Sequence, residues 1–269
     1  RLYDTALTPY NAMQACGRDL VAEIVAAARD RGLKIGLYHS LNNWHDQPDA
    51  ADAFEDPAAY PAFIANTFAR LTELATRFNP IDILWYDGWW PFDAQGWQAE
   101  RMNGALRAIQ PHLLFNGRNG LPGDFGTPEG HLSAPKPWRP WEACMTLNDH
   151  WGYHRGDSNW KSPIEVVKML LKCGAERGNL LLNIGPRGDG SVPEDSAEIV
   201  RKVGRWLREG GEEAVGDVEP MPFGPLLRTP GDRGDWDHAG VFTASGNTLF
   251  MTLLYFPGSK FVLTGLEMR

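Results

Sequence analysis

The sequence predicts an α/β protein: parallel strand–helix units forming a (β/α)8-type, TIM-like barrel that is incomplete at its N-terminus, followed by a small all-β region. Three observations predict it. Short apolar runs alternate with helix-period stretches from Arg18 to Gly210, and that alternation implies parallel strands joined by right-handed crossovers. Past Gly210 the helix-period text stops, and strand-like runs punctuated by Gly, Asp and Asn replace it. Polar and aromatic residues gather where the apolar runs end, which is where parallel barrels carry their chemistry.

The elements follow in order. RDLVAEIVAAARDRG, from Arg18, sets Leu20, Ile24, Val25 and Ala28 on one helical stripe, with Gly32 as the stop. LKIGLYHS (Leu33 to Ser40) is a short buried strand. After a loop rich in Asn, Asp and Pro, Asp56 as cap and Pro57 in the first turn open a helix to about Phe78. Its inward stripe is Tyr60, Phe63, Ile64, Phe68, Leu71, Leu74 and Ala75. IDILWYD is the second strand, Gly96 to Ile109 a helix, and HLLFNGR (His112 to Arg118) the third strand. A long Gly/Pro-rich loop from Asn119 to Pro140 leads to WEACMT, the fourth strand. Ser162 and Pro163 open a helix ending near Glu176, NLLLNIG (Asn179 to Gly185) is the fifth strand, and Pro193 opens EDSAEIVRKVGRWLREG.

LLRTP, GVFTAS, TLFMTLLYF and FVLTGL make up the β region, so the division expected is a barrel domain over 1–214 and a β domain over 215–269. Five strand–helix units do not close an eight-unit barrel, which takes about 250 residues by itself. Either the sheet is open and doubly wound, or the first units lie upstream. The absence of Met at position 1 and the placement of the polar residues favour the barrel.

Composition narrows the function. A net charge of −8 argues against nucleic-acid binding, which needs a basic face. No apolar run approaches the roughly 18 residues of a membrane span. No signal pattern is visible, so the sequence leaves compartment open. The three cysteines, Cys16, Cys144 and Cys173, are widely spaced and expected as free thiols. The 11 tryptophans are in excess; they are bulky core, or they stack on the C–H faces of sugars.

The polar strand ends are Tyr38, His39 and Ser40 with Asn42, Asn43 and Trp44 just after; Asp87; Asn116 and Arg118; Glu142; and Asn183. Asp87-Gly88 reads as a turn dipeptide, but the strand-like ILWY before it delivers the carboxylate to the rim of a sheet. Glu129, in DFGTPEG, stands in a loop that could fold over the mouth, and Glu142 stands at a strand start or end. Two carboxylates from different strand ends are what glycoside hydrolysis needs, about 5–5.5 Å apart for retention and about 6.5–9.5 Å for inversion. Other chemistries fit less well. His150 and His154 have the i, i+4 spacing of zinc ligands, but Gly152 weakens a helix there and no HExxH is present, so no metal is expected. GRNGLPGDFG and NIGPRGDG lack the GK[ST] of a phosphate loop, and no GxSxG elbow occurs, so no cofactor is expected.

GRDLVAEIVAAARDRGLKIGLYHSL, ILWYDG, TPE, WEACMT with WGY, NLLLNIGPRGDG and GRWLREGGEEAVGD occur in that order between Gly17 and Asp217. Together they resemble the α-L-fucosidases of glycoside hydrolase family 29. The resemblance implies a catalytic barrel followed by a β-sandwich, and retaining double displacement on α-L-fucosides without a cofactor. It implies Asp87 as nucleophile, Trp85 packed beside the sugar, Tyr38 and His39 near the fucose, and Arg118 on the strand preceding the acid/base loop. Glu129 is the implied acid/base with Glu142 the competitor, and Trp44 and Trp89 are further candidate sugar contacts. The expected partner is a fucosylated oligosaccharide or glycoconjugate, with oligomeric state open. A non-catalytic carbohydrate-binding protein, or a barrel glycosidase for another sugar, remains the alternative. Family members carry an upstream strand ending in paired histidines and a nearby Glu-Trp, which this chain does not include. The expectation is therefore a fragment that is weakly active or inactive alone.

Overall fold

The computed structural model describes residues 1–219, 226–228, 240–254, 258–260 and 262–264, of which 226–228 and 262–264 are described by backbone alone. The chain forms two compact units, Arg1–Gly126 and Thr127–Arg269.

In the first unit the elements are α1 (Ala12–Cys16), α2 (Leu20–Arg29), β1 (Gly36–Ser40), α3 (Ala50–Glu55), α4 (Tyr60–Arg77), β2 (Ile83–Asp87), α5 (Ala99–Ile109) and β3 (Leu114–Phe115). The strands form a parallel sheet in the order β1-β2-β3. Successive strand residues face opposite sides, and the burial of β2 follows that rule: Leu84 and Tyr86 are fully buried, whereas Ile83, Trp85 and Asp87 are partly exposed. Leu84 and Tyr86 join Phe63, Leu71 and Leu74 of α4 and Leu106 of α5 in one core. Each such large apolar side chain contributes about 1.5–3 kcal/mol when fully buried.

The stripe predicted for α4 is the face it buries, with Phe68 and Tyr60 at its edge. Arg70 shares that face unexpectedly. A buried guanidinium needs partners, and Arg70 has them: Nη1 donates to Asp46 (3.0 Å) and Nη2 to Thr67 Oγ1 (2.9 Å). Two expectations are corrected nearby. The supposed loop before α4 contains α3, capped by Asp49 and Asp52 in a reciprocal box. Asp56 ends α3 and accepts from the Ala58 N–H, so α4 begins only at Tyr60 with no side-chain cap. The third strand is also shorter than predicted, two residues where seven were expected.

The second unit contains β4 (Glu142–Thr146), α6 (Pro163–Ala175), β5 (Asn179–Asn183), α7 (Glu194–Trp206) and α8 (Glu212–Val215), the last two separated by a kink at Gly210, whose φ is +117°. β4 and β5 pair in parallel from Glu142–Asn179 to Thr146–Asn183. Ser162 and Glu165 close the capping box that starts α6, as the S-P-I-E spacing demands. Gly178, just before β5, has to be glycine: a Cβ there would lie 2.1 Å from the Trp141 ring.

The β region follows as β6 (Leu226–Arg228), β7 (Gly240–Ser245), β8 (Thr248–Leu253) and β9 (Val262–Thr264). β6 pairs antiparallel with β9, and β7 with β8 through a two-residue turn at Gly246-Asn247. Thr243 of β7 ties this region to the preceding helix by donating to the Ala214 carbonyl (2.6 Å). The ends of three predicted strand runs, 229–230, 255–256 and 265–266, lie outside the described residues, as does Phe261.

Candidate active site

β2 delivers Asp87 at its C-terminal end, and the register sets Tyr38 opposite Trp85 and Ser40 opposite Asp87. Alternation therefore gathers Tyr38, Trp85 and Asp87 on the face away from the Leu84–Tyr86 core. Tyr38 Oη donates to Asp87 Oδ2 (2.7 Å), and Arg118 Nη1 donates to Asp87 Oδ1 (2.8 Å). Tyr38 stacks on Trp85 with ring centres 5.6 Å apart, and the Arg118 guanidinium lies over the Trp85 ring at 4.7 Å. Carboxylate, phenol, indole and guanidinium thus hold one another in place.

Burial by itself would raise the Asp87 pKa. The hydrogen bonds from Tyr38, Arg118 and the Gly88 N–H, with the Arg118 charge, outweigh it and hold the carboxyl below its ordinary value. Asp87 is an anion suited to attack an electrophile, and unsuited to donate a proton. Gly88 lets the chain leave the strand: its φ is +61°, and a Cβ would lie 2.7 Å from Ser40 Oγ.

A cavity of about 670 Å3 opens beside this cluster, lined by Tyr38, Asn42, Trp44, Asp87, Gly88 and Trp90, among others. Trp44 and Trp90 are exposed, at 77% and 55%. Trp89 is 45% exposed and does not line the cavity; its carbonyl accepts the indole N–H of the buried Trp97. His39 pairs opposite Tyr86, so its side chain leaves β1 on the face opposite to Tyr38. It borders the cavity from there, since β1 is the outer strand of its sheet among the described residues. Its Nε2 is buried without a hydrogen-bond partner among the described residues, and burial together with the charges of Arg70 and Arg1 lowers its pKa to about 3. His39 is a neutral imidazole.

The remaining acids belong to the second unit. Glu129 is exposed and its backbone pairs level with Cys144 of β4: Cys144 N–H donates to the Pro128 carbonyl (2.8 Å), and Gly130 N–H to that of Cys144 (3.0 Å). Glu142 is the first residue of β4. The expectation that the fourth strand ends in Glu142 is corrected, because Trp141 packs into the core before the strand, and Thr146 closes it. His150 and His154 stack at 4.3 Å, and His150 Nδ1 contacts Asp157 Oδ2 (2.7 Å). Among the described residues no group of three or more His, Cys, Asp or Glu is placed to hold a metal ion. None of the described helices is long and apolar enough to cross a membrane.

Asn116 is the residue whose role the sequence concealed. Expected among the strand-end groups at the mouth, it is fully buried and acts on the backbone. Its Oδ1 accepts from the Tyr86 N–H and its Nδ2 donates to the Tyr86 carbonyl, both at 2.9 Å. The side chain replaces a neighbouring strand just where β3 has ended, one residue before Asp87. Asn103 secures the other end of Tyr86, accepting from its hydroxyl (2.9 Å) and from Asn119 Nδ2 (3.1 Å). Three buried asparagines near a strand end were the available signal, since buried amides need defined partners.

An ionised aspartate at the C-terminal end of a parallel strand stands where parallel βα proteins carry their chemistry, and a carboxylate so placed is one of the two that glycoside hydrolysis needs. The chain belongs to the alpha-L-fucosidase family, whose model matches residues 1–212. It is 34% identical over 215 residues to the plasma alpha-L-fucosidase of Homo sapiens, covering 72% of this chain and 44% of that protein. The chain therefore spans a little under half the length of that relative. Among solved structures, it resembles alpha-L-fucosidase isoenzyme 1 from Paenibacillus thiaminolyticus with a TM-score of 0.74 and 32% identity, over 92% of this chain and 63% of that one. It also resembles the alpha-fucosidase of Thermotoga maritima in complex with fucose, with a TM-score of 0.76 and 26% identity, over 100% of this chain and 62% of that one.

Proposed function

We propose that this chain carries the catalytic centre of an exo-acting α-L-fucosidase that releases fucose, with retained configuration, from oligosaccharides or glycoconjugates. The observation that carries this reading is Asp87, held ionised by Tyr38 and Arg118 beside an aromatic-walled cavity. Family membership and the fucose held by the Thermotoga maritima relative supply the sugar.

The Asp87 carboxylate attacks the anomeric carbon as the glycosidic C–O bond breaks, and Glu129 protonates the departing oxygen. The resulting fucosyl ester is opened by water, which gives a proton back to the Glu129 carboxylate as its oxygen joins the anomeric carbon. Two inversions yield retention, and both acids return to their starting states. Tyr38 and Arg118 orient the nucleophile and keep it charged, while Trp85, Trp44 and Trp90 offer flat surfaces to the sugar. Glu129 is preferred to Glu142 as acid/base because Glu142 begins its strand, whereas parallel βα proteins act at strand C-termini. The same reading makes the parallel sheets part of a barrel over 1–214 and the antiparallel pairs part of a β-sandwich over 215–269.

The test is Asp87→Gly in the protein as the cell makes it, assayed on an aryl α-L-fucoside. Turnover is expected to vanish, and azide to restore it with a fucosyl azide of inverted configuration as product. Undiminished hydrolysis by Asp87→Gly sinks the assignment, and a wild-type protein that binds fucosides without cleaving them sinks the enzymatic reading.

A further inference from the structure

A second groove, of about 680 Å3, lies wholly within the Thr127–Arg269 unit. It runs between the segment 132–138 and the C-terminal end of α6. Its lining residue Glu176 is tied to the start of the strand pair, because the Glu176 carbonyl accepts from Nε1 of Trp141, the residue before β4 (3.1 Å), and the Asn179 N–H that opens β5 donates to the Trp141 carbonyl (2.9 Å). The groove is thus at the N-terminal end of this strand pair, the end that parallel βα proteins do not use for catalysis.

Two indoles meet at the Glu176 carbonyl, and they behave differently. Trp141 is 1% exposed and belongs to the core; Trp138 donates to the same oxygen (3.1 Å) yet is 53% exposed. With its one polar atom engaged, Trp138 is held as a platform that offers ring surface to the groove. The charges are also arranged. Glu176 is already occupied, because its carboxylate pairs with Lys172 and accepts from the Ala134 N–H (3.2 Å). Lys136 and Arg177 line the same groove and have no ion-pair partner among the described residues, in a chain whose net charge is −8.

Arg177 also occupies an unusual backbone position. It follows the end of α6 with a φ of +54°, the left-handed conformation in which helices ordinarily place glycine. The bonds that impose this are clear: Arg177 N–H donates to the Gly174 carbonyl (2.9 Å) and Gly178 N–H to the Cys173 carbonyl (2.8 Å). A long cationic residue is thus carried on backbone where it is strained, at a position that lines the groove.

We propose that this groove is a non-catalytic binding site for an acidic carbohydrate. A sugar ring stacks on Trp138, and its sulfate or carboxylate is held by Lys136 and Arg177. Aromatic platforms take the C–H faces of sugars, and guanidinium groups take oxyanions through paired hydrogen bonds; this groove has both on one wall pair. Such a site would tether the protein to an acidic glycan independently of the Asp87 centre.

The test is isothermal titration of the full chain with a fucose-free chondroitin sulfate tetrasaccharide, a neutral dextran tetrasaccharide and inorganic sulfate. Arg177→Gly is the informative variant, because glycine relieves the left-handed backbone. It is expected to keep or raise the thermal midpoint while weakening chondroitin sulfate binding about tenfold or more. Lys136→Gln and Trp138→Ala are expected to weaken it similarly, and the affinity of the parent chain is expected to fall as salt rises. Equal affinity for neutral dextran overturns the acidic requirement, and sulfate ion binding as tightly as the tetrasaccharide overturns the sugar platform. Chondroitin sulfate binding that is absent, or unchanged in Arg177→Gly and Trp138→Ala, overturns the site.

Discussion

The parallel pairs β1–β2 and β4–β5 are built to one plan, five residues on each strand paired in register along their length. They differ at their C-terminal ends. β2 ends in Asp87, with each carboxylate oxygen taking a hydrogen bond, one from Tyr38 and one from Arg118. β4 ends in Thr146, whose hydroxyl turns back to the Asn148 carbonyl, and β5 ends in Asn183, whose Oδ1 is buried with no hydrogen-bond partner among the described residues. The acid of the second pair, Glu142, stands at the opposite end. The scaffold is common to both, so the chemistry depends on the last residue of a strand and on donors that neighbouring segments bring to it.

That contrast can be broken most directly at its two acids. Asp87→Asn is expected to lower kcat on an aryl fucoside by ~10^4-fold or more, as loss of a nucleophile does. Glu142→Gln, at the start of its strand, is expected to stay within about threefold. Comparable losses from the two would remove the distinction between strand ends. Glu129→Ala comes next, with an expected loss of about 10^2–10^4-fold, the usual worth of general acid–base catalysis. It should be largest on substrates with poor leaving groups, and Brønsted plots of the variant and parent would show it.

Asn116→Ala probes the clamp behind Asp87. Removing the amide leaves the buried N–H and carbonyl of Tyr86 unpaired, an expected cost of roughly 2–4 kcal/mol in denaturant unfolding. Tyr38→Phe is gentler, an expected tenfold to hundredfold fall in kcat/KM, roughly the worth of one hydrogen bond to a charged group. Its pH profile carries the sharper information. Asp87 titrates below its ordinary value, so its charge, and the stability it contributes, persist on acidification until the pH falls through that lowered pKa. Without the Tyr38 donor the acidic limb of kcat/KM should move to higher pH; an unmoved limb would show that Tyr38 does not tune the carboxylate. Ser162→Ala removes the cap of α6 and is expected to cost about 1 kcal/mol of stability in the same denaturant-unfolding measurement, leaving the Asp87 centre untouched.

Much of the fold was legible along the chain. α2, α4 and α6 announced themselves through stripes and stop signals, and β2 through an apolar run halted at Asp87-Gly88. α3 was hidden because its polar text, with Asp49 and Asp52, reads as loop until the two carboxylates are seen capping one turn. The length of β3 was not legible either: HLLFNGR has strand character throughout, but the Asn116 side chain takes over the pairing after Phe115. Glu142 was ambiguous for a related reason, since WEACMT does not say which of its residues is strand and which is core plug. At the candidate site, Asp87 was nameable from its place at a strand end and Trp85 from the family resemblance, while the partnership with Tyr38 and Arg118 was not.

By itself the sequence determined the run of parallel βα units, the family, and the carriage of one aspartate to a strand end, because periodicity, caps and glycines act within a few residues of one another. Only the tertiary structure decided what holds that aspartate ionised. Its donors lie 49 and 31 residues away in the chain, and their arrival at 2.7 and 2.8 Å depends on strand register and on the buried amide that holds Tyr86 in line. Hydrogen bonds and charge act over ångströms in space, and no local pattern of residues specifies those distances.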